Sequence, residues 1–194
     1  MTSSSDRLVA RSPCPFATAA RLEHLDLSEL PGSPDKMIPA VVPAFRQCIR
    51  EAAIGKSDGL LLEIEPEAVT ATADLARAVF DVITCIGQLS SPPTQVKMTD
   101  LYDSSWWFRF DNEKLFVIAF DGRSSRRDQR YTFGAPNIYL LFQHRNAFRR
   151  RFGTDIPDTI RQWVRSSFRR AGLPYNPFLG VVGPPRADLP SGEP

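Results

Sequence analysis

The sequence predicts an α+β fold, in which a small, mostly antiparallel sheet is packed by helices. Apolar runs of strand length stand at 59–64 and 138–142, and a hairpin is predicted over about 105–120. Other segments repeat apolar residues at helical spacing, which is typical of helices with one buried face. With 194 residues, 42% of them apolar, the chain is long enough for one domain with a full core.

We expect this single domain to span residues 13–183. Residues 1–12 are Ser-rich and predicted to be disordered, and residues 184–194 form a Pro/Gly tail that we expect to be flexible. No apolar run approaches the length needed to cross a membrane, and the polar start lacks the apolar core of a secretory signal. The three cysteines are far apart and lack metal-site or disulfide spacing, which favours a reducing cytoplasm.

The first half of the domain is predicted to place one strand among helices. The run 16–25 favours a short helix. A second helix is expected to begin at Pro43 and end near Ile54, because proline suits the first turn of a helix. A strand follows at 59–64, and a third helix is predicted from Pro66 to about Ile86.

The second half is predicted to supply the rest of the sheet. Its hairpin turns at Asp111-Asn112, and the strand at 138–142 is expected to be central because neither of its faces is polar. Helices are predicted at 146–152 and at about 155–171. The last helix carries an inward apolar face of Ile156, Ile160, Trp163, Val164 and Phe168, and arginines at 161, 165 and 169 on the opposite face.

Positive charge is concentrated in residues 121–170. This segment holds twelve arginines, no lysine and four acidic residues, although the whole chain has a net charge of only +2. A guanidinium is a planar fork of donors, so such a cluster favours bidentate binding of phosphate or carboxylate. A solvated basic surface, paired with acidic residues from the rest of the chain, would account for the same pattern.

The segment 115–148 and its surroundings carry motifs in a recognisable order. They are Pro13-Cys14, Phe-Val-Ile at 116–118, Ser-Ser-Arg at 124–126, Arg130-Tyr131, the segment 142–148, and Asn-Pro-Phe-Leu at 176–179. Together they resemble the YqcI/YcgG family over about 13–180. The chain departs from the family pattern at two positions: Asp121-Gly122 stand where family members have His-Pro, and His144 precedes by one residue the position of the second family histidine.

The resemblance implies haem chemistry. Some relatives in natural-product biosynthesis are haem-dependent oxygenases that carry out N-hydroxylation of the guanidine of arginine or an arginine-like amino acid. For this chain the resemblance implies haem b with its iron, an electron donor and a small cationic amino-acid-like substrate. Asp121 and Arg126 are then the candidate catalytic residues, because a free aspartate in the pocket could hold a guanidinium group.

A haem pocket needs an axial donor, apolar walls and cations for the propionates. His144 is the candidate iron ligand, although a strand-end histidine bonded to a backbone carbonyl fits the same pattern. Cys14 is the alternative donor, because thiolates also bind haem iron. The remaining candidates for cofactor binding are Arg126 and Arg130 for the propionates and Trp107 and Phe142 for the walls.

A second class of function stays open. The protein could be a haem-free relative that acts as a binding or accessory protein through its arginine-rich face. Nucleic acid is a poorer partner for that face, because the aromatic residues are predicted to be buried and are not interleaved with the arginines.

Overall fold

The computed structural model describes residues 4–28, 30, 33–65, 75–103, 105–122, 124 and 130–173. Within these residues, five α-helices pack on a five-stranded mixed sheet, which confirms the predicted α+β class. The helices are α1 (Ser4–Arg11), α2 (Pro34–Ala53), α3 (Leu75–Gln88), α4 (Arg145–Phe152) and α5 (Asp158–Arg170). The strands are β1 (Leu22–Asp26), β2 (Gly59–Ile64), β3 (Phe108–Phe110), β4 (Glu113–Asp121) and β5 (Ile138–His144).

The sheet has the order β1-β2-β5-β4-β3. The pairs β2–β5, β5–β4 and β4–β3 are antiparallel, and β1 joins the edge parallel to β2. The central position of β5 follows from its composition, because apolar side chains on both faces need cover on both sides. The two-residue turn between β3 and β4 has Asp111 and Asn112 at positive φ, a conformation that Asp and Asn tolerate better than most residues.

One face of the sheet, here called the core face, is closed by α2 and α3. Alternate residues of β4 point to it, namely Leu115, Val117 and Ala119. Phe45 of α2 packs edge-on against Phe110 and Phe142, with ring centroids 4.9 and 5.1 Å away. This face holds the main hydrophobic core of the described residues.

The helix expected to begin at Pro43 begins at Pro34 and contains both Pro39 and Pro43. Pro39 and Pro43 are both exposed, and so is Asp35, whose carbonyl would otherwise accept the missing N–H of Pro39. Water can therefore replace the lost hydrogen bonds, and burial of the opposite helix face maintains the helix. The segment 66–74, where the sequence predicts the next helix to begin, lies outside the described residues, and α3 covers Leu75–Gln88.

Two N-terminal segments differ from the predictions. The run 16–25 forms a short 3-10 helix at Ala17–Ala19 and then strand β1, because the edge of β2 offers a full ladder of backbone partners. Residues 4–11, within the segment predicted to be disordered, form α1, whose Leu8 is buried with Leu61 and Tyr139. The predicted C-terminal tail lies outside the described residues.

Candidate ligand-binding cavity

The second face of the sheet, here called the cavity face, is not fully closed. A cavity of about 190 Å³ lies between it and α1, α4 and α5. The alternation along β4 supplies the floor, because residues between those of the core face point to the opposite side. These floor residues are Phe116, Ile118 and Phe120 of β4, with Leu141 of β5 and Leu61 of β2.

Helices supply the apolar walls of the cavity. In α5, Ile160, Val164 and Phe168 recur every four residues and therefore lie on one side of the helix. In α4, Ala147 and Phe148 are buried against the sheet, and α1 contributes Leu8. The inward apolar face predicted for the last helix thus lines this cavity through Ile156, Ile160, Val164 and Phe168. The prediction is wrong for Trp163, which is 47% exposed and packs against Phe16. The cavity is suited to a ligand with a mainly apolar body.

Cys14 contributes a thiol to the cavity lining. It lies between Pro13 and Pro15, its N–H donates to Ser12 Oγ at 3.2 Å, and its carbonyl accepts the N–H of Ala17 at 3.0 Å. Burial raises the pKa of its thiol, while the backbone amides of Phe16 and Ala17 and the charge of Arg151 act in the opposite direction. The thiol is therefore protonated at neutral pH, beside dipoles that would stabilise a thiolate.

Phe16 packs the Cys14 segment against helices α4 and α5. Its ring packs edge-on against Phe152 of α4 and Trp163 of α5, with centroid distances of 5.2 and 5.1 Å. The Arg151 guanidinium lies 5.4 Å from the same ring and also donates to the carbonyl of Ala19 at 3.2 Å. These contacts hold Cys14 at the cavity wall.

Charged groups in the lining are mainly cationic. Arg130 is 8% exposed and donates to the carbonyl of Ala119 at 3.5 Å, whereas Arg151 and Arg161 are more exposed. Among the described lining residues the carboxylate is Asp58. Burial would raise the pKa of Asp58, but hydrogen bonds from the Arg21 backbone and from the Arg150 and Arg21 side chains outweigh it and lower the pKa.

His144 is not among the described residues that line the cavity. It is 1% exposed and precedes α4, where its Nδ1 accepts the N–H of Asn146 at 3.0 Å as an N-terminal cap. Its Nε2 lies 3.0 Å from Glu113 Oε2 and donates to it. Burial lowers the pKa of His144, and the bond to Glu113 acts against that shift. Both ring nitrogens are thus engaged within the protein.

The other described residues predicted for the site do not lie together in the cavity lining. Asp121 is buried at the end of β4, outside the cavity lining, and its N–H donates to the carbonyl of Arg130 at 3.1 Å. Trp107 lies behind the wall, against Phe116 and Phe148 at centroid distances of 6.2 and 6.1 Å. Of the two remaining positions, Phe142 points to the core face and Arg126 lies outside the described residues.

Several residues that line the cavity are not identified as site residues by the sequence alone. Helical spacing predicts that Arg161 lies on the solvated side of its helix. Arg161 is next to Ile160, at the edge of the apolar stripe, and it contributes to the cavity lining. Leu8 lies in a Ser-rich, polar segment whose single Leu-Val pair gives little periodicity. The apolar stripe of α5 is visible in the sequence, but a stripe shows only that a helix face is covered.

Comparison of the chain with protein-family models, with curated proteins and with solved structures found no match. Among the described residues, no helix combines the length and apolar character needed to cross a bilayer. The features that bear on function are therefore the cavity and the motifs of the chain.

Proposed function

We propose that the cavity binds haem through Cys14, and that the protein is a haem-dependent oxygenase that hydroxylates a guanidine or amine nitrogen of a small amino-acid-like substrate. The observation that carries the proposal is the position of Cys14 in the wall of an apolar cavity. The same cysteine belongs to the Pro-Cys element through which the chain resembles the YqcI/YcgG family.

The described residues offer the chemical groups that haem needs. Because haem is larger than a cavity of about 190 Å³, its binding would also require the walls of the cavity to move apart. Cys14 offers a soft sulfur donor, the phenylalanines of β4 and α4 offer apolar walls, and Arg130 offers a cation inside the lining. A protonated thiol is compatible with this role, because a metal that binds sulfur displaces the proton. The neighbouring amides of Phe16 and Ala17 would then stabilise the thiolate, as hydrogen bonds to a ligating sulfur do.

Cys14 suits the role better than His144. To bind iron, His144 would have to give up either the cap on Asn146 or the bond to Glu113, and its ring would have to leave a buried site. Cys14 already lines the cavity and needs no such rearrangement. For this reason we place the iron ligand at Cys14 and assign His144 a structural role.

When bound, haem would supply the activation of dioxygen, and an electron donor would supply the reducing equivalents. The residues of the chain contribute binding and exclusion of water: the sheet floor and α5 enclose the ligand, and Arg130 attracts its anionic groups. The cationic nature of the substrate is proposed from the family resemblance, since Asp58 is already paired with Arg21 and Arg150. A cytoplasmic location is proposed from the three free cysteines.

A hemin titration tests the proposal. We expect the full-length protein to develop a saturable Soret band, and its ferrous carbon monoxide complex to show the strong red shift that a thiolate ligand produces. Cys14→Ser should lose that red shift, whereas the control His144→Asn should keep it. Loaded protein, supplied with a reductant and arginine, should release a product that has gained one oxygen atom.

Two outcomes would contradict the proposal. Failure to bind hemin at a saturable site would exclude the haem function. An unchanged spectrum in Cys14→Ser would exclude Cys14 as the iron ligand.

A haem-free binding protein is the second candidate. The observation that favours it is the mainly apolar lining of the cavity, which can hold an organic ligand without iron. Its arginine-rich face is used in part for internal pairs, since Arg145 and Arg149 both contact Asp155. The expected result for this candidate is a folded protein that binds an organic ligand but not hemin.

A further inference from the structure

Two arginines stand where the apolar cavity meets solvent. Arg151 of α4 is exposed and Arg161 of α5 is half-buried, yet both contribute to the lining. They are therefore at the opening, here called the mouth, while the phenylalanines and leucines of the lining form the interior. A cavity with an apolar interior and a cationic opening is amphiphilic.

The guanidinium groups of these arginines retain donors for a ligand. Arg151 donates a hydrogen bond to the carbonyl of Ala19, and Arg161 donates one to the carbonyl of Ile156 at 3.4 Å. The carboxylate of Asp158 is 3.9 Å from Arg161 Nε and is almost fully exposed, so it screens that charge weakly. A guanidinium has five N–H donors, and one carbonyl uses a small share of them.

The acidic group in the described lining does not neutralise the mouth. Asp58 accepts the Arg21 N–H at 3.0 Å and an Arg150 side-chain donor at 3.2 Å, so its charge is matched by other cations. Arg130 adds a third guanidinium deeper in the lining. Arg151 and Arg161 therefore place positive charge at the mouth, and charges of one sign in a low-dielectric cleft attract ligands of the other sign.

We infer that the mouth is a carboxylate-binding site, and that the ligand class of the cavity is an organic acid whose apolar body lies inside while Arg151 and Arg161 hold its carboxylate. The inference rests on the proposed function in one respect, that the cavity holds a ligand, and is independent of iron. The carboxylate could belong to a haem propionate or to a separate organic acid, and a two-armed binding experiment distinguishes these sources.

The first arm uses octanoate and octanol, which share an apolar chain and differ in charge. Calorimetry on the full-length protein should show octanoate binding about tenfold more tightly than octanol, as expected for a charge-assisted hydrogen bond in a partly buried site. Arg161→Met should abolish most of this preference without weakening octanol binding, and Arg161→Lys should restore part of it. Arg169→Met, on an exposed position of the same helix, is the charge-matched control and should change nothing.

The second arm uses hemin and its dimethyl ester, which lacks both carboxylates. If a propionate occupies the mouth, the ester should bind about tenfold more weakly than hemin, and Arg151→Met and Arg161→Met should remove that difference. If hemin and its ester bind equally while octanoate keeps its preference, the carboxylate belongs to a separate organic acid.

The inference and the proposed function can fail separately. Equal affinity for octanoate and octanol in the wild type, together with equal affinity for hemin and its ester, would overturn the carboxylate site even if Cys14 binds iron. A preference that persists in the Arg151→Met/Arg161→Met double variant would overturn it as well. Conversely, arginine-dependent octanoate binding without a Soret band supports the carboxylate site and excludes the haem function.

Discussion

At the scale of single residues, the structure places the two proposed iron ligands in different environments. His144 is fixed on both ring nitrogens and caps α4, whereas Cys14 belongs to the lining of the cavity. The sequence contains both in comparable settings, each close to apolar residues. Their difference comes from hydrogen-bond partners, Glu113 and the Asn146 backbone, which only the folded chain brings to His144.

The cap formed by His144 predicts a pH dependence of stability. The pKa of His144 in the folded protein is lowered from 6.5, mainly by burial and also by the charge of Arg150, while Glu113 acts against the shift. As the pH falls, the unfolded chain therefore takes up the proton before the folded protein does. The contribution of neutral His144 to the stability of the folded protein is fully present above pH 6.5 and is lost as the pH falls from there through the folded-state pKa. We expect the free energy of unfolding of the wild type to decrease over this range.

His144→Asn is the matched variant, because asparagine also caps helices but does not titrate. Denaturant unfolding between about pH 7 and about pH 5 should show a smaller decrease for the variant than for the wild type. Parallel pH profiles for the two proteins would contradict the prediction, because they would mean that folding leaves the pKa of His144 unchanged.

At the scale of elements, long-range pairing overrides local preference at the N-terminal side of the sheet. The run 16–25 has helical composition, but β1 pairs residue by residue with β2, from Leu22 with Gly59 to Asp26 with Glu63. His24 Nε2 lies 2.8 Å from the buried Glu63, which adds a side-chain contact to the same pairing. A strand on this edge gains a ladder of hydrogen bonds that an isolated helix of similar length cannot match.

Close approach of β2 and β5 predicts a large effect of Gly59→Ala. A Cβ at this position would lie 2.1 Å from the Phe142 carbonyl oxygen and 2.8 Å from the Gln143 Cα, both of which are backbone atoms. Because backbone cannot move aside without breaking the β2–β5 register, we expect a loss of about 3 kcal/mol or more in the free energy of unfolding. Denaturant unfolding measures it.

Gly153→Ala provides the comparison for that prediction. Gly153 has a φ of 73° after the end of α4, but among the described residues no neighbouring atom lies within 4 Å of the place that a Cβ would take. The expected cost is only the backbone penalty of about 1 kcal/mol. Equal losses for the two variants would show that close packing at Gly59 is not the deciding factor.

At the scale of the whole molecule, the two faces of the sheet serve different purposes. The core face is closed by α2 and α3 and is filled by side chains such as Phe45 and Phe142. The cavity face is covered by α1, α4 and α5 but keeps a space of about 190 Å³. One sheet thus supplies stability on one side and a candidate ligand site on the other.

This division predicts unequal effects at two consecutive leucines of β5. Leu140 is fully buried on the core face, so Leu140→Ala should leave a new cavity and cost about 3 kcal/mol. Leu141 is half-buried and lines the existing cavity, so Leu141→Ala should cost about 1 kcal/mol. Unfolding free energies of the two variants, measured under the same conditions, check the difference. Equal losses would mean that the cavity face is packed as tightly as the core face.

The sequence by itself determined the elements whose signals are local. Apolar periodicity identified β2, the β3–β4 hairpin, β5 and the inward stripe of α5, and Asp111-Asn112 marked the turn, because these patterns depend on neighbours a few residues apart. Only the tertiary structure decided that Cys14 and Arg161 line one cavity and that His144 does not. These outcomes depend on contacts between segments far apart in the chain, such as Phe16 with Trp163, which spacing along the sequence does not encode.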